Sequence, residues 1–260
     1  MKKVIYREQN CSRPVILEPI TNVPALEMKG DERWVCVADL HLGIEVRLRA
    51  GGFNIPSQTS KMLEALLAIR DRGDNLIILG DLKHRIPSIG YHENKEIGPF
   101  LERLGGAFDR IVIAAGNHDG GLSSVIPEGI RAVSGHGCRI EDIGAAHGHV
   151  WPSEEAMASD TLIMGHIHPS VMFRDSLGTK SNEKCWVRAK LSKRLVEERY
   201  QHCPKELVVM PAFNPLLTGT PINAVGGAML GPVFRNRFVD EKSLRAYLLD
   251  GTDLGHPRKV

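Results

Sequence analysis

The chain has 260 residues, of which 42% are hydrophobic and 25% are charged, and its formal net charge is +2. This composition is typical of soluble globular proteins and excludes disorder as the main state. The charge balance leaves no polyacidic or polybasic tail, so any contact with nucleic acid must come from a local patch. No apolar run approaches the roughly 20 residues that cross a bilayer, and the basic start lacks the apolar stretch of a secretory signal. We therefore expect a cytoplasmic protein without membrane contacts.

Residues 1–33 contain Pro14, Pro19 and Pro24 around the apolar residues 15–17, which predicts an edge strand or hairpin that precedes the core. Short runs of almost wholly apolar residues follow at wide spacing. Such runs are typical of strands that are buried on both faces. They cover residues 34–38, 76–79, 111–115, 143–146 and 162–164.

Two amphipathic segments separate the first three runs. In residues 57–72 the apolar side chains recur at helical spacing, Ser57 can cap the helix, and Gly73 ends the pattern. A weaker helix is predicted from about residue 93 to residue 104. This alternation predicts right-handed βαβ crossovers and a mostly parallel sheet.

The pattern of apolar and polar residues changes after Pro169. Residues 186–191 alternate between apolar and polar, and residues 206–210 form a short apolar run, so further strands are predicted here, with antiparallel pairing allowed. No repeat or flexible linker divides the chain, so we predict a single domain over residues 1–260.

Five cysteines form an odd set without a C-x-x-C spacing. This pattern disfavours a disulfide framework and a thiolate zinc site. We interpret the five as reduced packing residues: Cys11, Cys36, Cys138, Cys185 and Cys203.

Each of the five apolar runs leads at once into polar residues of metal-binding type. Because the carboxyl ends of parallel strands share one edge of a sheet, these clusters should converge. Gly80, Gly116 and Gly165 would let the backbone come close to whatever is bound. The clusters are Asp39-Leu40-His41, Gly80-Asp81-Leu82-Lys83-His84, Gly116-Asn117-His118-Asp119, His147-Gly148-His149 and Gly165-His166-Ile167-His168.

Carboxylate, imidazole and amide donors without thiolate suit divalent metals such as Mn²⁺, Fe²⁺ or Zn²⁺. The candidates exceed one coordination sphere, which favours two ions roughly 3.5 to 4 Å apart, bridged by a carboxylate. A lone His after a strand is more often a surface residue than a ligand, but five coincident clusters change those odds. His149 stays open as a more distant neighbour of the ions, and Asp119 either orients its neighbour or caps the next segment. The histidines outside the clusters are assigned surface or loop roles: His92, His136, His202 and His256.

Competing motifs are absent: the chain has no P-loop, no G-x-G-x-x-G and no G-x-S-x-G. The glycine-rich residues 226–231 are therefore interpreted as a turn. The basic residues of 174–199 outnumber the acidic ones by eight to four, a local charge of +4. This basic stretch is either a solvated face or a nucleic-acid contact, with Trp186 able to stack on a base.

In their order, the five clusters resemble the calcineurin-like metallophosphoesterase superfamily, over residues 39–168. The resemblance implies an α/β fold: a four-layer αββα sandwich with a dinuclear metal site at the carboxyl ends of the strands. It also implies that residues 171–260 complete the second sheet, while residues 1–33 form an N-terminal extension.

Carried over by position, the resemblance implies two divalent ions, with manganese favoured and iron, zinc, nickel or cobalt as alternatives. The first ion would be bound by Asp39, His41, Asp81 and His168. The second ion would be bound by Asp81, Asn117, His147 and His166. Asp81 would bridge the two ions, and a water between them would attack the phosphorus in line.

The resemblance gives His118 a catalytic role, in which it stabilises the phosphate or protonates the leaving oxygen. His84, three residues after Asp81, departs from the protein phosphatases and is similar to the SbcD-type DNA-repair nucleases, where a His at this place faces the substrate. The other interpretation of His84 is a partly exposed loop residue. Residues 208–214 and 250–255 are similar to the compact phosphoesterases associated with DNA ligase.

These features predict a metal-dependent phosphoesterase that hydrolyses phosphodiesters of DNA or RNA, with DNA-repair proteins as expected partners. One alternative is a phosphodiesterase of small or cyclic nucleotides, since a compact chain leaves an open pocket. Another is a non-catalytic interaction scaffold that keeps the fold. The intact ligand set and His118 count against the scaffold.

Overall fold

The computed structural model describes residues 14–86, 91–224 and 229–260, with the backbone alone for residues 91–94. Cys11, the side chain of His92 and residues 226–228 of the glycine-rich residues 226–231 lie outside this part of the chain. In the described residues, no helix is both long and apolar enough to span a membrane.

The first sheet has the strand order β1-β2-β3-β4-β5-β6 in the described residues. The pairs from β3 to β6 are parallel, whereas β1 and β2 add to the sheet antiparallel. The strands are β1 (Ile16–Pro19), β2 (Ala25–Lys29), β3 (Arg33–Ala38), β4 (Asn75–Leu79), β5 (Arg110–Ala114) and β6 (Arg131–Val133).

The second sheet has the described order β13-β10-β11-β12-β9-β8-β7, and β14 pairs with both β11 and β15. Its strands are β7 (Cys138–Ile140), β8 (Ile143–Ala146), β9 (Thr161–Met164), β10 (Pro169–Arg174), β11 (Lys180–Ala189), β12 (Glu206–Val209), β13 (Thr220–Pro221), β14 (Arg245–Leu248) and β15 (Asp253–Gly255).

Five of the six helices in the described residues cover the outer faces of the two sheets. Side chains of α2 and α3 share a core with the first sheet, and side chains of α4, α5 and α6 share one with the second. The helices are α1 (Ile44–Ala50), α2 (Thr59–Ala68), α3 (Tyr91–Gly105), α4 (Glu154–Met157), α5 (Lys193–Glu197) and α6 (Pro232–Arg235).

A third core lies between the two sheets and makes the molecule a four-layer sandwich. Strand β3 shows the reason for its unbroken apolar run: Val35 and Val37 face the helices, while Trp34, Cys36 and Ala38 face the other sheet. Both faces of the strand are thus buried, which favours continuous apolarity over alternation. The fold implied by the family resemblance is confirmed.

The five predicted strands correspond to β3, β4, β5, β8 and β9, and the two predicted helices to α2 and α3. Their expected arrangement in one mostly parallel sheet is wrong. Strands β3, β4 and β5 belong to the first sheet and β8 and β9 to the second, and both sheets contain antiparallel pairs. The chain passes between the sheets from β6 to β7, two three-residue strands without a crossover helix.

The four described cysteines are free, and three of them are buried. Cys36 and Cys138 lie in the core between the sheets, and Cys185 lies under the second helical layer. They act as packing residues, as predicted.

Candidate metal centre

The polar clusters that follow β3, β4, β5, β8 and β9 meet at one edge of the sandwich. Ligand atoms of the four residues predicted for the first ion, Asp39, His41, Asp81 and His168, all lie within 4.8 Å of one another. Asp39, His41 and Asp81 follow strands of the first sheet, and His168 follows a strand of the second. The predicted convergence is therefore present in the structure, although it joins two sheets instead of one.

The residues predicted for the second ion lie beside the first group. Asp81, His147 and His166 also have ligand atoms within 4.8 Å of one another. Oδ1 of Asn117 lies 3.2 Å from Nε2 of His147, which places the amide at the same position. Asp81 belongs to both groups, as a bridging carboxylate must.

The donor set fits divalent cations. Nε2 of His41 and Nε2 of His168 are buried and have no hydrogen-bond partner among the described residues, yet they face carboxylate oxygens. The distances are 3.4 Å from His41 Nε2 to Asp81 Oδ2 and 3.1 Å from His168 Nε2 to Asp39 Oδ1. Buried polar atoms almost always have a hydrogen-bond partner or bind an ion. The unpartnered lone pairs of these two nitrogens are therefore the ones that a cation between them and the carboxylates would bind.

The backbone at this edge is unusual. Five of the seven predicted ligands have a positive φ between 42° and 68°: Asp39, His41, Asp81, His166 and His168. Residues other than glycine rarely occupy this left-handed region, and those that do cluster at functional sites. The sharp turns aim successive side chains back over the strand ends.

Backbone groups hold the carboxylates and His147 in place. The amide N–H of His118 donates to Oδ1 of Asp81 at 2.8 Å, and that of His166 donates to Oδ2 of Asp39 at 3.1 Å. Nδ1 of His147 lies 2.9 Å from the carbonyl oxygen of Leu79, which can only accept. This contact assigns the proton to Nδ1 and leaves Nε2 of His147 available as a ligand atom.

The buried carboxylates of Asp39 and Asp81 favour a positive charge beside them, and this changes the pKa values of the cluster. Burial opposes protonation of His147, but the hydrogen bond with Asp81 and the charges of Asp39 and Asp81 outweigh it and raise the pKa of His147 to about 9. Contacts with His147 likewise outweigh burial at Asp81 and hold the pKa of its carboxyl well below the usual range. Burial lowers the pKa of His41 to about 3 and that of His166 to about 4. A cation that binds Nε2 of His147 must displace the second proton, which the raised pKa places on that nitrogen.

Two glycines permit the close approach of these groups. A Cβ at Gly116 would lie 2.1 Å from Oδ1 of Asp81, and a Cβ at Gly80 would lie 2.3 Å from Nδ1 of His147. Real side chains cannot approach so closely. The glycines predicted to admit a bound group thus admit the residues that would bind it.

His118 and His84 lie at the outer side of the cluster. Nδ1 of His118 contacts the carbonyl oxygen of His84, and Nε2 of His118 lies 4.0 Å from Oδ2 of Asp81. The His84 ring stacks on that of His118 with centroids 5.4 Å apart, and its Nδ1 lies 3.3 Å from Nδ1 of His41. Both residues predicted to act on the substrate are therefore next to the predicted ligands.

Lys83 and Asp119 support the loop that carries His118. Nζ of the fully buried Lys83 donates to the backbone carbonyls of Arg85 and His118. The Asp119 carboxylate accepts hydrogen bonds from the backbone N–H groups of Gly116 and Lys83. Asp119 therefore ties together the loops after β4 and β5. The sequence offered no role for Lys83, because its partners are backbone carbonyls.

Asn214 is a further supporting residue without a role in the sequence analysis. It is fully buried, and its Nδ2 donates to the carbonyl oxygen of Leu40 at 2.6 Å and to that of His41 at 3.4 Å. Nζ of Lys184 in turn donates to the carbonyl oxygen of Asn214 at 2.6 Å. Asn214 comes shortly after the buried strand β12, the same signal that identified the predicted clusters.

Of the remaining described histidines, two lie close to the cluster and two lie apart from it. The His149 ring is 5.2 Å from that of His147, and its Nδ1 is buried without a hydrogen-bond partner in the described chain. His136 is exposed and its Nδ1 lies 2.7 Å from the carbonyl oxygen of Trp151. His202 is exposed, and His256 is half-buried with its Nε2 2.9 Å from the carbonyl oxygen of Glu241.

Comparisons with known proteins agree with this geometry. The model of the calcineurin-like phosphoesterase family matches residues 33–204, well over half of the chain. The chain therefore belongs to the calcineurin-like phosphoesterases, a class of metal-dependent hydrolases.

The structural comparison adds a likeness of fold. The crystal structure of the Pseudomonas putida nuclease MPE is similar, with 18% sequence identity and a TM-score of 0.55. The match covers 92% of this chain and 100% of that chain. At this identity the likeness shows a shared fold. No curated protein matches the sequence.

Proposed function

We propose that the chain hydrolyses phosphodiester bonds, and those of nucleic acid in particular, at two divalent ions that share Asp81. The position of Asp81 carries this proposal. Its Oδ2 lies 3.4 Å from Nε2 of His41 and 3.5 Å from Nε2 of His147, which belong to the two different ligand groups. One carboxylate between two sets of donors is the arrangement of two-metal phosphoryl-transfer sites.

The first ion is assigned to Asp39, His41, Asp81 and His168, and the second to Asp81, Asn117, His147 and His166. When bound, the pair would supply charge neutralisation on the phosphate and a hydroxide nucleophile at neutral pH. Nitrogen and oxygen donors without thiolate support manganese as the metal, with iron, zinc, nickel and cobalt as the alternatives.

His118 is proposed as the proton donor to the leaving oxygen. The contact of Nδ1 with the carbonyl oxygen of His84 fixes the ring and keeps a proton on Nδ1. Nε2 is then the atom that faces the cluster, and a second proton on it is the one that can pass to an alkoxide. The carbonyl that His118 contacts belongs to His84, and the His84 ring stacks on the His118 ring. His84 therefore positions His118 and lies on the same side of the site.

Two observations support a diester of nucleic acid as the substrate. The rings of His41, His84 and His118 form a triangle with centroids 4.8 to 5.4 Å apart, and the half-buried His84 and His118 lie where a longer substrate can reach them. The Pseudomonas putida neighbour is itself named a nuclease. Action in the cytoplasm beside DNA-repair proteins stays a prediction.

A phosphodiesterase of small or cyclic nucleotides is the second candidate, and the basic stretch of residues 174–199 favours it. Several of its cations are already engaged. Arg188 forms two 2.7 Å hydrogen bonds with Glu206, and Lys184 is turned inward onto the carbonyls of Ala212 and Asn214. The stretch therefore offers a nucleic-acid strand fewer cations than its sequence suggests.

The activity is tested by one panel of substrates, each assayed with Mn²⁺ and with chelator. The panel contains bis-p-nitrophenyl phosphate, p-nitrophenyl phosphate, cyclic nucleotides, and single- and double-stranded DNA. We expect Mn²⁺-dependent hydrolysis of the diesters and of DNA, and slower hydrolysis of the monoester. Hydrolysis of cyclic nucleotides without DNA would support the second candidate, and failure on every diester would contradict both.

A further inference from the structure

A cavity of about 650 Å³ opens directly beside the position assigned to the second ion. Asn117 and His166 form its inner wall, and both belong to the second ligand group. A substrate held at the cluster would therefore border this cavity. Its volume lies within the range of small-ligand sites.

The polar lining of the cavity consists of hydrogen-bond donors and neutral groups. His136, His149, Arg235 and Asn236 contribute to it, and none of the described residues that line it is an Asp or Glu. Two other cavities differ in this respect, because one includes Glu241 and the other includes Glu183 and Asp250. A cavity with an arginine and no carboxylate favours an anion.

Arg235 is available to such an anion. In the described chain it forms no ion pair, unlike Arg188, Arg194 and Arg245, which pair with acidic side chains. The buried Nδ1 of His149 also lacks a hydrogen-bond partner among described residues. The cavity thus combines a cation without an ion pair and a polar atom without a hydrogen-bond partner, as far as the described residues extend.

A close backbone contact fixes the segment with Arg235 to the edge of the metal centre. Gly231 has a φ of 87°, and a Cβ at this position would lie 2.2 Å from the carbonyl oxygen of Gly148. Gly148 lies between His147 and His149 in the chain. The loop before α6 is therefore seated on the loop that carries a predicted ligand, and α6 ends at Arg235.

We propose that this cavity binds a second phosphate of the substrate, next to the phosphate that is hydrolysed, with Arg235 as its main contact. The proposal rests on the proposed function, since it extends the substrate from the same cluster. It assigns to the enzyme a preference for substrates with two neighbouring phosphates over those with one.

The test is equilibrium binding by calorimetry to the Mn²⁺-loaded protein, with thymidine 5′-monophosphate and thymidine 3′,5′-bisphosphate as probes. The wild type should bind the bisphosphate about tenfold more tightly, since a charge-assisted hydrogen bond contributes at least that factor. Arg235→Gln should reduce the ratio to near one. Arg237→Gln removes the same charge two residues further on, outside this cavity, and should leave the ratio unchanged.

A ratio near one in the wild type, or a tenfold ratio that survives in Arg235→Gln, would overturn the proposal. Inorganic phosphate forms a third arm. If it binds through Arg235 while the bisphosphate gains nothing over the monophosphate, the cavity is an independent anion site. Because binding is measured without turnover, this result is separate from that of the hydrolysis panel. A protein that hydrolyses no diester can still pass or fail here.

Discussion

Asp81 is the residue on which both assigned ion positions depend. Replacing it with Asn keeps the size of the side chain and removes the charge that two cations would share. We expect Asp81→Asn to bind fewer than two metal ions per chain and to lose turnover in parallel. Metal content by atomic emission and hydrolysis of bis-p-nitrophenyl phosphate check this prediction.

The control for this variant is Asp142→Asn, which removes a carboxylate from a surface ion pair with Arg139. Such pairs contribute about 0 to 1 kcal/mol, so metal content and turnover should stay at the wild-type level. Two metals per chain and full turnover in Asp81→Asn would show that Asp81 is not the bridge.

His118 is the residue whose replacement tests the proposed proton donor separately from metal binding. It is assigned to no ion, and its Nε2 lies 4.0 Å from the nearest Asp81 oxygen. His118→Ala should therefore retain both ions and lose about a hundredfold or more in kcat, the usual contribution of a positioned proton donor. The exposed His202, replaced in the same way, should have no effect. Loss of metal in His118→Ala would make His118 a ligand and reopen the coordination scheme.

The loop of residues 39–41 depends on an element far away in the chain. Asn214 follows β12 and bonds to the carbonyl of Leu40, 174 residues earlier, in a loop where Asp39 and His41 have positive φ. Because groups that orient ligands typically contribute a factor of 10 to 100, we expect Asn214→Ala to weaken metal binding by about that much. Calorimetric titration with Mn²⁺ measures the change.

Asn223 provides a matched control for this prediction. Its side chain also joins two segments, through two 2.9 Å hydrogen bonds to the backbone of Met172, away from the metal centre. Asn223→Ala should reduce stability similarly and leave Mn²⁺ affinity unchanged. Equal losses of affinity in both variants would indicate a general loosening of the fold.

The positions of the strands and helices could be predicted from the sequence better than the pairing of the strands in sheets. An unbroken apolar run such as that of β3 indicates a strand buried on both faces, because both of its neighbours are apolar layers. The same run does not say which strand lies beside it. For that reason β8 and β9 were expected in the sheet of β3, although the chain enters a second sheet after β6.

In the candidate site, too, one part could be predicted from the sequence and another part could not. The predicted ligands could be found because each follows a buried strand in a short spacing. Lys83 and Asn214 could not be given roles, since they act on backbone carbonyls whose positions only the fold defines. The spacing of a motif indicates side chains that bind the same group. It does not indicate side chains that stabilise the conformation of a loop.

At the scale of the whole molecule, the metal centre joins the two sheets. Asp39, Asp81 and Asn117 extend from the first sheet, whereas His147, His166 and His168 extend from the second. Ions bound only by the native state stabilise it, by about 2.7 kcal/mol at a hundredfold excess over Kd. For a domain of this size, that corresponds to a rise of roughly 5 to 10 °C in Tm.

We therefore expect Mn²⁺ to raise Tm by this amount and chelator to reverse the effect, as measured by scanning calorimetry. Asp81→Asn should show a much smaller shift. If neither Mn²⁺ nor chelator changed the Tm of the wild type, the two sheets would not share a bound ion.

The most direct test of the proposed two-metal phosphodiesterase activity is a titration of metal-depleted protein with Mn²⁺, followed by hydrolysis of bis-p-nitrophenyl phosphate. The shared carboxylate of Asp81 predicts no turnover without metal and a plateau at two equivalents per chain. Turnover that persists in chelator, saturates at one equivalent, or never appears at any Mn²⁺ concentration would contradict it.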